Sequence, residues 1–121
     1  DGVTAESIEK GRKAYEKFET LGLKSDVAFE FNNLAFDWIE LEEFEKARKL
    51  LEKAEKMSDD YCFMNLKPFI ELNLGKIAAR TDELELAENH FDNAVKMVSV
   101  YCGNEDLLRF KGDREKELSI E

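Results

Sequence analysis

Apolar residues return along this chain at helical spacing. Phe31, Leu34, Ala35 and Trp38 follow the i, i+3, i+4, i+7 rule of a single helix face. Phe44, Ala47, Leu51 and Ala54 form a second stripe of the same kind. Only Leu41-Glu42-Glu43 separates the two, which leaves room for a tight turn, so the helices are predicted to be antiparallel neighbours. The layout returns further along, with Leu74, Gly75 and Ala78 on one helix and Leu84, Ala87, Phe91 and Ala94 on the next. Thr81 or Asp82 is the expected N-cap of that last helix, because either side chain can accept from a free backbone N–H. Residues 4–20 read as a helix capped by Thr4, with Ile8, Ala14, Tyr15, Phe18 and Leu21 on one side. Residues 104–117 read as another, with Asn104 as N-cap and Glu105 and Asp106 in its first turn. The charged end from Lys111 to Glu121 is expected to fray.

Sliding the chain on itself by 40 residues aligns 29–62 with 69–102 without a gap, and eleven of the 34 pairs are identical. Among them are Phe29/Phe69, Asn33/Asn73, Leu34/Leu74, Ala47/Ala87, Ala54/Ala94 and Cys62/Cys102. A fixed period of this length is the mark of a repeat architecture, in which one hairpin cannot bury its apolar face alone and must stack on a neighbour. Small residues at Ala35, Ala47 and Ala54, and at Gly75, Ala87 and Ala94, allow helices to approach closely, while Trp38, Phe44, Leu51 and Phe91 fill the gaps. The earlier helix joins the pattern. Lys13-Ala14 and Phe18-Glu19 echo Lys46-Ala47 and Leu51-Glu52, so residues 4–20 read as the second helix of a preceding repeat. Pro68 fits less easily, since it removes a helix hydrogen bond. Asp59 or Asp60 reads as the cap of a helix starting near Tyr61. Phe63, Leu66, Ile70, Leu74 and Ile77 keep helical spacing past the proline, which predicts one kinked helix.

The run Phe31-Asn32-Asn33-Leu34-Ala35-Phe36-Asp37-Trp38, followed by Phe44-Glu45-Lys46-Ala47, Leu51 and Ala54, resembles a tetratricopeptide repeat. So does Asn73-Leu74-Gly75 followed by Leu84, Ala87, Phe91 and Ala94. The 40-residue period, with Phe18-Glu19-Thr20-Leu21-Gly22 ahead of the first unit, is similar to the longer-repeat subgroup of that family. There are departures: the glycine usual between the two helices is replaced by Glu42 and Asp82, and Trp38 has Ala78 as its counterpart. The resemblance implies an all-α fold of antiparallel helical hairpins stacked as a short right-handed solenoid with flanking helices. The segments would be an N-terminal helix in 1–24, repeat units in 25–61 and 62–102, and a C-terminal capping helix and tail in 103–121.

It also implies a function, the binding of a partner peptide or helix in the concave groove lined by the first helix of each hairpin. That groove would present Phe29, Asn32, Asn33, Phe36 and Glu40 from the first unit, and Phe69, Leu72, Asn73, Lys76 and Arg80 from the second. The equivalent Asn33 and Asn73 would form a ladder of amides, each able to donate and accept toward a ligand main chain. The carboxylate clamp of some family members is incomplete, since Asn32 and Phe36 stand at first-unit positions and only Lys76 and Arg80 are basic on that side. The chain would serve as part of a larger cytoplasmic regulator or scaffold. The alternative is a structural unit that stacks end to end into a homodimer, with Ile8, Tyr15, Leu107, Leu108 and Phe110 as the residues concerned. The start, Asp1-Gly2-Val3, without initiator Met or signal pattern, reads as a cut or processed chain.

Composition narrows the chemistry. The formal charge of −10 argues against nucleic acid or an anionic membrane as partner, and no apolar run approaches the roughly 20 residues of a membrane helix. The single His90 reads as a partly buried packing residue, and no catalytic constellation, metal site or cofactor loop is expected. Cys62 and Cys102 read as free, buried thiols, because equivalent positions in stacked repeats lie about 10 Å apart, beyond disulfide reach. Glu42/Lys46, Glu45/Lys49 and Glu52/Lys56 have the spacing of ion pairs on a solvated helix face.

Overall fold

Left-handed backbone appears at Gly22, Glu42, Cys62 and Asp82, with φ of 74°, 61°, 60° and 64°. The step from each to the next is twenty residues. At each site the N–H of the following residue donates to the carbonyl five positions before it: Leu23 to Phe18 at 2.9 Å, Glu43 to Trp38 at 2.9 Å, Phe63 to Ser58 at 3.0 Å and Glu83 to Ala78 at 2.8 Å. This is the Schellman closure, which satisfies a terminal carbonyl and reverses the chain. Glycine fills only the first of these positions.

The computed structural model describes residues 4–119, and these form six helices with no strand among them. They are α1 (Ala5–Thr20), α2 (Lys24–Glu40), α3 (Phe44–Tyr61), α4 (Lys67–Arg80), α5 (Leu84–Tyr101) and α6 (Asn104–Leu118). Thr4 caps α1 as expected, in a reciprocal box with Ser7. Thr81 and Asp82 do not cap α5. The Thr81 hydroxyl donates back to the carbonyls of Ile77 and Ala78, Asp82 is the left-handed residue, and Glu83 is the N-cap without a side-chain bond. Gly103, not Asn104, is the N-cap of α6, and that helix runs to Leu118; of the segment expected to fray, Ile120 and Glu121 lie outside the described residues.

Pro68 does not kink a long helix. The chain leaves α3 through the left-handed Cys62, with Asp59 and Asp60 inside that helix, and α4 begins afresh at Lys67 with Pro68 in its first turn. The missing N–H costs nothing there, because the first N–H groups of a helix have no internal acceptor.

The chain divides between Phe63 and Met64 into two units. In the first, α2 packs against both α1 and α3. It buries Val27, Ala28, Phe31, Leu34, Ala35 and Ile39, and α3 contributes Ala47, Leu51 and Ala54. Tyr15 of α1 lies 4.9 Å from the Phe31 ring. A Cβ added at Gly11 would stand 2.7 Å from Cδ2 of Leu34, a measure of how closely α1 and α2 approach. Ser58, where α5 has Val98, is buried with its hydroxyl unpartnered among the described residues.

In the second unit, α4 and α5 pair, and α6 lies against both. Leu72, Ala78, Ala87, Phe91, Ala94, Val98 and Phe110 form its core. Gly75 plays the part that Gly11 plays in the first unit: its Cβ would fall 2.8 Å from a ring carbon of the fully buried Phe91.

The register of α1 departs from expectation. The turns place α1 forty residues before α3, so Ala14 is the counterpart of Ala54, not of Ala47. The two alignments differ by seven residues, which is two helical turns and therefore nearly the same face. The predicted surface pairs also shift. Glu45 bonds Arg48, Lys56 bonds Asp60, and Lys46 lies 4.4 Å above the Trp38 ring. Glu42, in the turn, is outside the helix that the predicted pairing assumes.

Two stability predictions follow from these geometries. Glu42→Gly should stabilise the first unit by about 0.5–1 kcal/mol, because it removes the left-handed penalty of a side chain, and Asp82→Gly should gain less, since Asp tolerates that region better. Urea denaturation of both variants checks the order. Gly75→Ala should lose about 1–2 kcal/mol net, the clash with Phe91 outweighing the gain in helix propensity. Gly11→Ala should cost less, because the terminal carbons of Leu34 can move.

Candidate functional site

The ten candidate groove residues fall on two helices with different surroundings. On α2, Phe29 is half-buried, Asn32 is buried, and Asn33, Phe36 and Glu40 are exposed. Phe36, at 37%, is an aromatic ring left partly open to water on a helix that buries Val27, Phe31, Leu34 and Ile39. Asn33, Phe36 and Glu40 recur at i, i+3 and i+7, so they share one face.

Two further residues belong to this face, Glu30 and Asp37, which the sequence reading did not include. Burial raises the Glu30 carboxyl above the usual glutamate range, the charge of Asp37 adds to this, and a hydrogen bond with Asn33 opposes it. Burial likewise raises Asp37, with Glu40 adding repulsion. The spacing 30, 33, 37, 40 could have shown them, because it is the same helical stripe carried one residue further round.

On α4 the candidates are already engaged within their own unit. Phe69 meets Phe110 of α6 edge-on, with ring centroids 5.0 Å apart. Leu72 is a core residue beside Phe110. Lys76 Nζ lies 3.6 Å from Asp113 Oδ2. Arg80 holds Glu117 through two bonds, Nε to Oε1 at 3.1 Å and Nη2 to Oε2 at 2.7 Å. Positions 69, 72, 76 and 80 therefore form a continuous stripe that receives α6.

Asn73 is buried, at 4%, whereas its repeat counterpart Asn33 is exposed. The two amides thus differ in access, which the ladder reading did not foresee. His90 is half-buried as expected, and its Nδ1 lies 2.9 Å from Glu71 Oε1 across the α4–α5 pair. The cysteines are corrected in part: both are free, but Cys62 is exposed at its left-handed turn. Cys102 is half-buried, and burial pushes its thiol up. Among the described residues no helix is long and apolar enough to cross a membrane, and no three His, Cys, Asp or Glu side chains converge as a metal site requires.

The α2 carboxylates predict a pH dependence. A carboxyl raised in the folded state binds protons more tightly there than in the unfolded chain, so stability falls as pH rises through its titration and the full loss is present at neutral pH. Asp37→Asn should therefore melt higher than wild type at pH 7, and the difference should close as pH falls to the ordinary aspartate range. The single Trp38, next in sequence, reports unfolding of this unit by fluorescence. Equal melting at pH 7 would rule out a cost of holding Asp37 ionised in its partly buried place.

Comparison with family models, with curated proteins and with solved structures finds no match to this chain.

Proposed function

We propose that this chain is a protein-interaction module of the tetratricopeptide kind, binding a partner peptide or helix on the face of α2 that presents Phe29, Asn33, Phe36 and Glu40. The observation that carries the reading is the twenty-residue recurrence of the Schellman turn at Gly22, Glu42, Cys62 and Asp82. It supports the 40-residue hairpin as a true structural repeat, even where Glu42 and Asp82 replace the family's glycine. Stacking of the hairpins into a short right-handed solenoid is part of the proposal, as is membership of a larger regulator or scaffold. Two free cysteines fit a reducing compartment such as the cytoplasm.

The α2 face suits the task. It combines an aromatic anchor with an amide that donates and accepts, on a rigid helix. Carboxylates along one edge disfavour acidic partners.

End-to-end self-association has less support. Of the residues it needs, Phe110 is in the core, Tyr15 packs on Phe31, and Ile8 and Leu107 are half-buried. Leu108 stands exposed at 70%, with Lys111, Gly112 and Glu115 as its helical neighbours on the outward side of α6. A polar outer face is what an end cap needs.

The test is capture from source lysate by wild type and by Asn33→Ala/Phe36→Ala. Both positions are exposed, so the double variant should keep its helicity and lose less than about 1 kcal/mol of stability. Its partner should be held at least about tenfold more weakly, as expected for an aromatic anchor with its amide. Identical capture by both proteins would refute the α2 face.

A further inference from the structure

Helix α6 differs from the other helices of its unit in what holds it. Phe110 and Glu117 are its only buried residues, whereas α5 buries Ala87, Phe91, Ala94 and Val98. Nine of its fifteen residues are charged. Its docking centres on the face of Phe110, Asp113 and Glu117, at i, i+3 and i+7, with Leu107 and Leu118 partly buried against the same core.

That face reads as a ligand for the stripe beneath it. Phe110 enters against Phe69 at 5.0 Å, Asp113 approaches Lys76 at 3.6 Å, and Glu117 takes the fork of Arg80 at 2.7 and 3.1 Å. Arg109 covers the two rings from outside, 5.4 Å from Phe69 and 5.8 Å from Phe110. On the α5 side, Arg114 pairs with Asp92 at 2.8 Å. The cations on α4 and the anions on α6 are complementary position by position, as in a helix lying in a groove.

We infer that α6 is an internal occupant of a helix-binding surface on α4 and α5, and that this surface takes in trans an acidic amphipathic helix of a partner protein bearing an aromatic residue with carboxylates three and seven positions later. Such a partner competes with α6 for Phe69, Lys76 and Arg80. The inference rests on reading the α4 stripe as a groove surface, and is separate from the α2 face. One property of α6 makes the exchange feasible, and its presence sets the affinity a competitor shows. A helix with few buried apolar side chains belongs to the part of a fold that opens locally before the rest unfolds. An occupant held in cis lowers the apparent affinity of a competitor by the fraction of time the surface is open.

The experiment uses the full chain and a fluorescein-labelled peptide of residues 104–119, read by anisotropy. Wild type, with α6 docked, should bind the peptide weakly. Phe110→Ala, which removes the aromatic anchor of the cis helix, should bind it at least about tenfold more tightly, because the surface is open for a larger fraction of time. Adding Arg80→Glu to that variant should abolish binding, and a peptide carrying Glu117→Arg should restore it. The charge reversal separates a specific groove from nonspecific adhesion to exposed core. Hydrogen exchange on wild type supplies the second measurement and needs no variant to fold: α6 amides should exchange at least about tenfold faster than those in the centres of α4 and α5. Absence of peptide binding by a helical Phe110→Ala chain, binding indifferent to the charge reversal, or α6 protection equal to that of α4 and α5 would each overturn the inference. None of these outcomes bears on capture through Asn33 and Phe36, so the two readings fail independently.

Discussion

One backbone hydrogen bond, made four times, organises this protein. At Leu23, Glu43, Phe63 and Glu83 an N–H reaches back to the carbonyl five residues before it, and the residue just ahead of each turns left-handed to permit it. At the first, second and fourth of these sites only three residues separate the end of one helix from the start of the next. Adjacent helices joined this way are antiparallel. Side chains at Glu42 and Asp82 adopt a conformation that glycine adopts without cost, so the surrounding helix packing over-determines the turn. The exception is instructive: α5 ends at an extended Cys102, with Gly103 as the cap of α6. The chain leaves the twenty-residue rhythm at the point where α6 begins.

Close approach between helices is the second condition, and each unit meets it with a glycine at a different crossing. Gly11 lets α1 reach Leu34, and Gly75 lets α4 reach Phe91. The corresponding residue to Gly75 in the first unit is Ala35, fully buried, opposite a helix whose Leu51 stands where α5 has Phe91. Volume is conserved across the pair: a larger partner ring goes with the missing methyl. This exchange is what close-packed interiors demand, and it explains why these two positions of the repeat change together.

Function, on this reading, depends on what each first helix presents. The α2 face keeps Asn33, Phe36 and Glu40 at the surface, alongside the Glu30 and Asp37 carboxyls, which burial first and neighbouring negative charge second raise above the usual range. The α4 face carries the opposite sign and is taken by α6. Homologous positions in the two halves thus have different electrostatics. A repeat can diverge this way because its inward stripe is constrained by packing, whereas its groove stripe is constrained only by what binds there.

Helix type, hairpin pairing, the 40-residue period and the Thr4 cap were legible in the chain itself, because they follow from local periodicity, short loops and adjacent polar groups. Legible too was that Asn33, Phe36 and Glu40 share one face of α2, and Phe69, Leu72, Lys76 and Arg80 one face of α4, since helical spacing places them together wherever the helix packs. What tertiary structure decided is who reaches whom. Sequence spacing could not separate a kinked helix at Pro68 from a fresh start at Lys67, because both keep the same apolar face. It could not choose between alignments of α1 that differ by seven residues, since two helical turns return to almost the same direction. Nor could it show that α6 carries Asp113 and Glu117 to Lys76 and Arg80, ion pairs spanning 37 residues, or that Asn73 is buried while Asn33 is exposed. Periodicity along one helix specifies a face; only the packing of another helix against it specifies whether that face is core, docking surface or open to water.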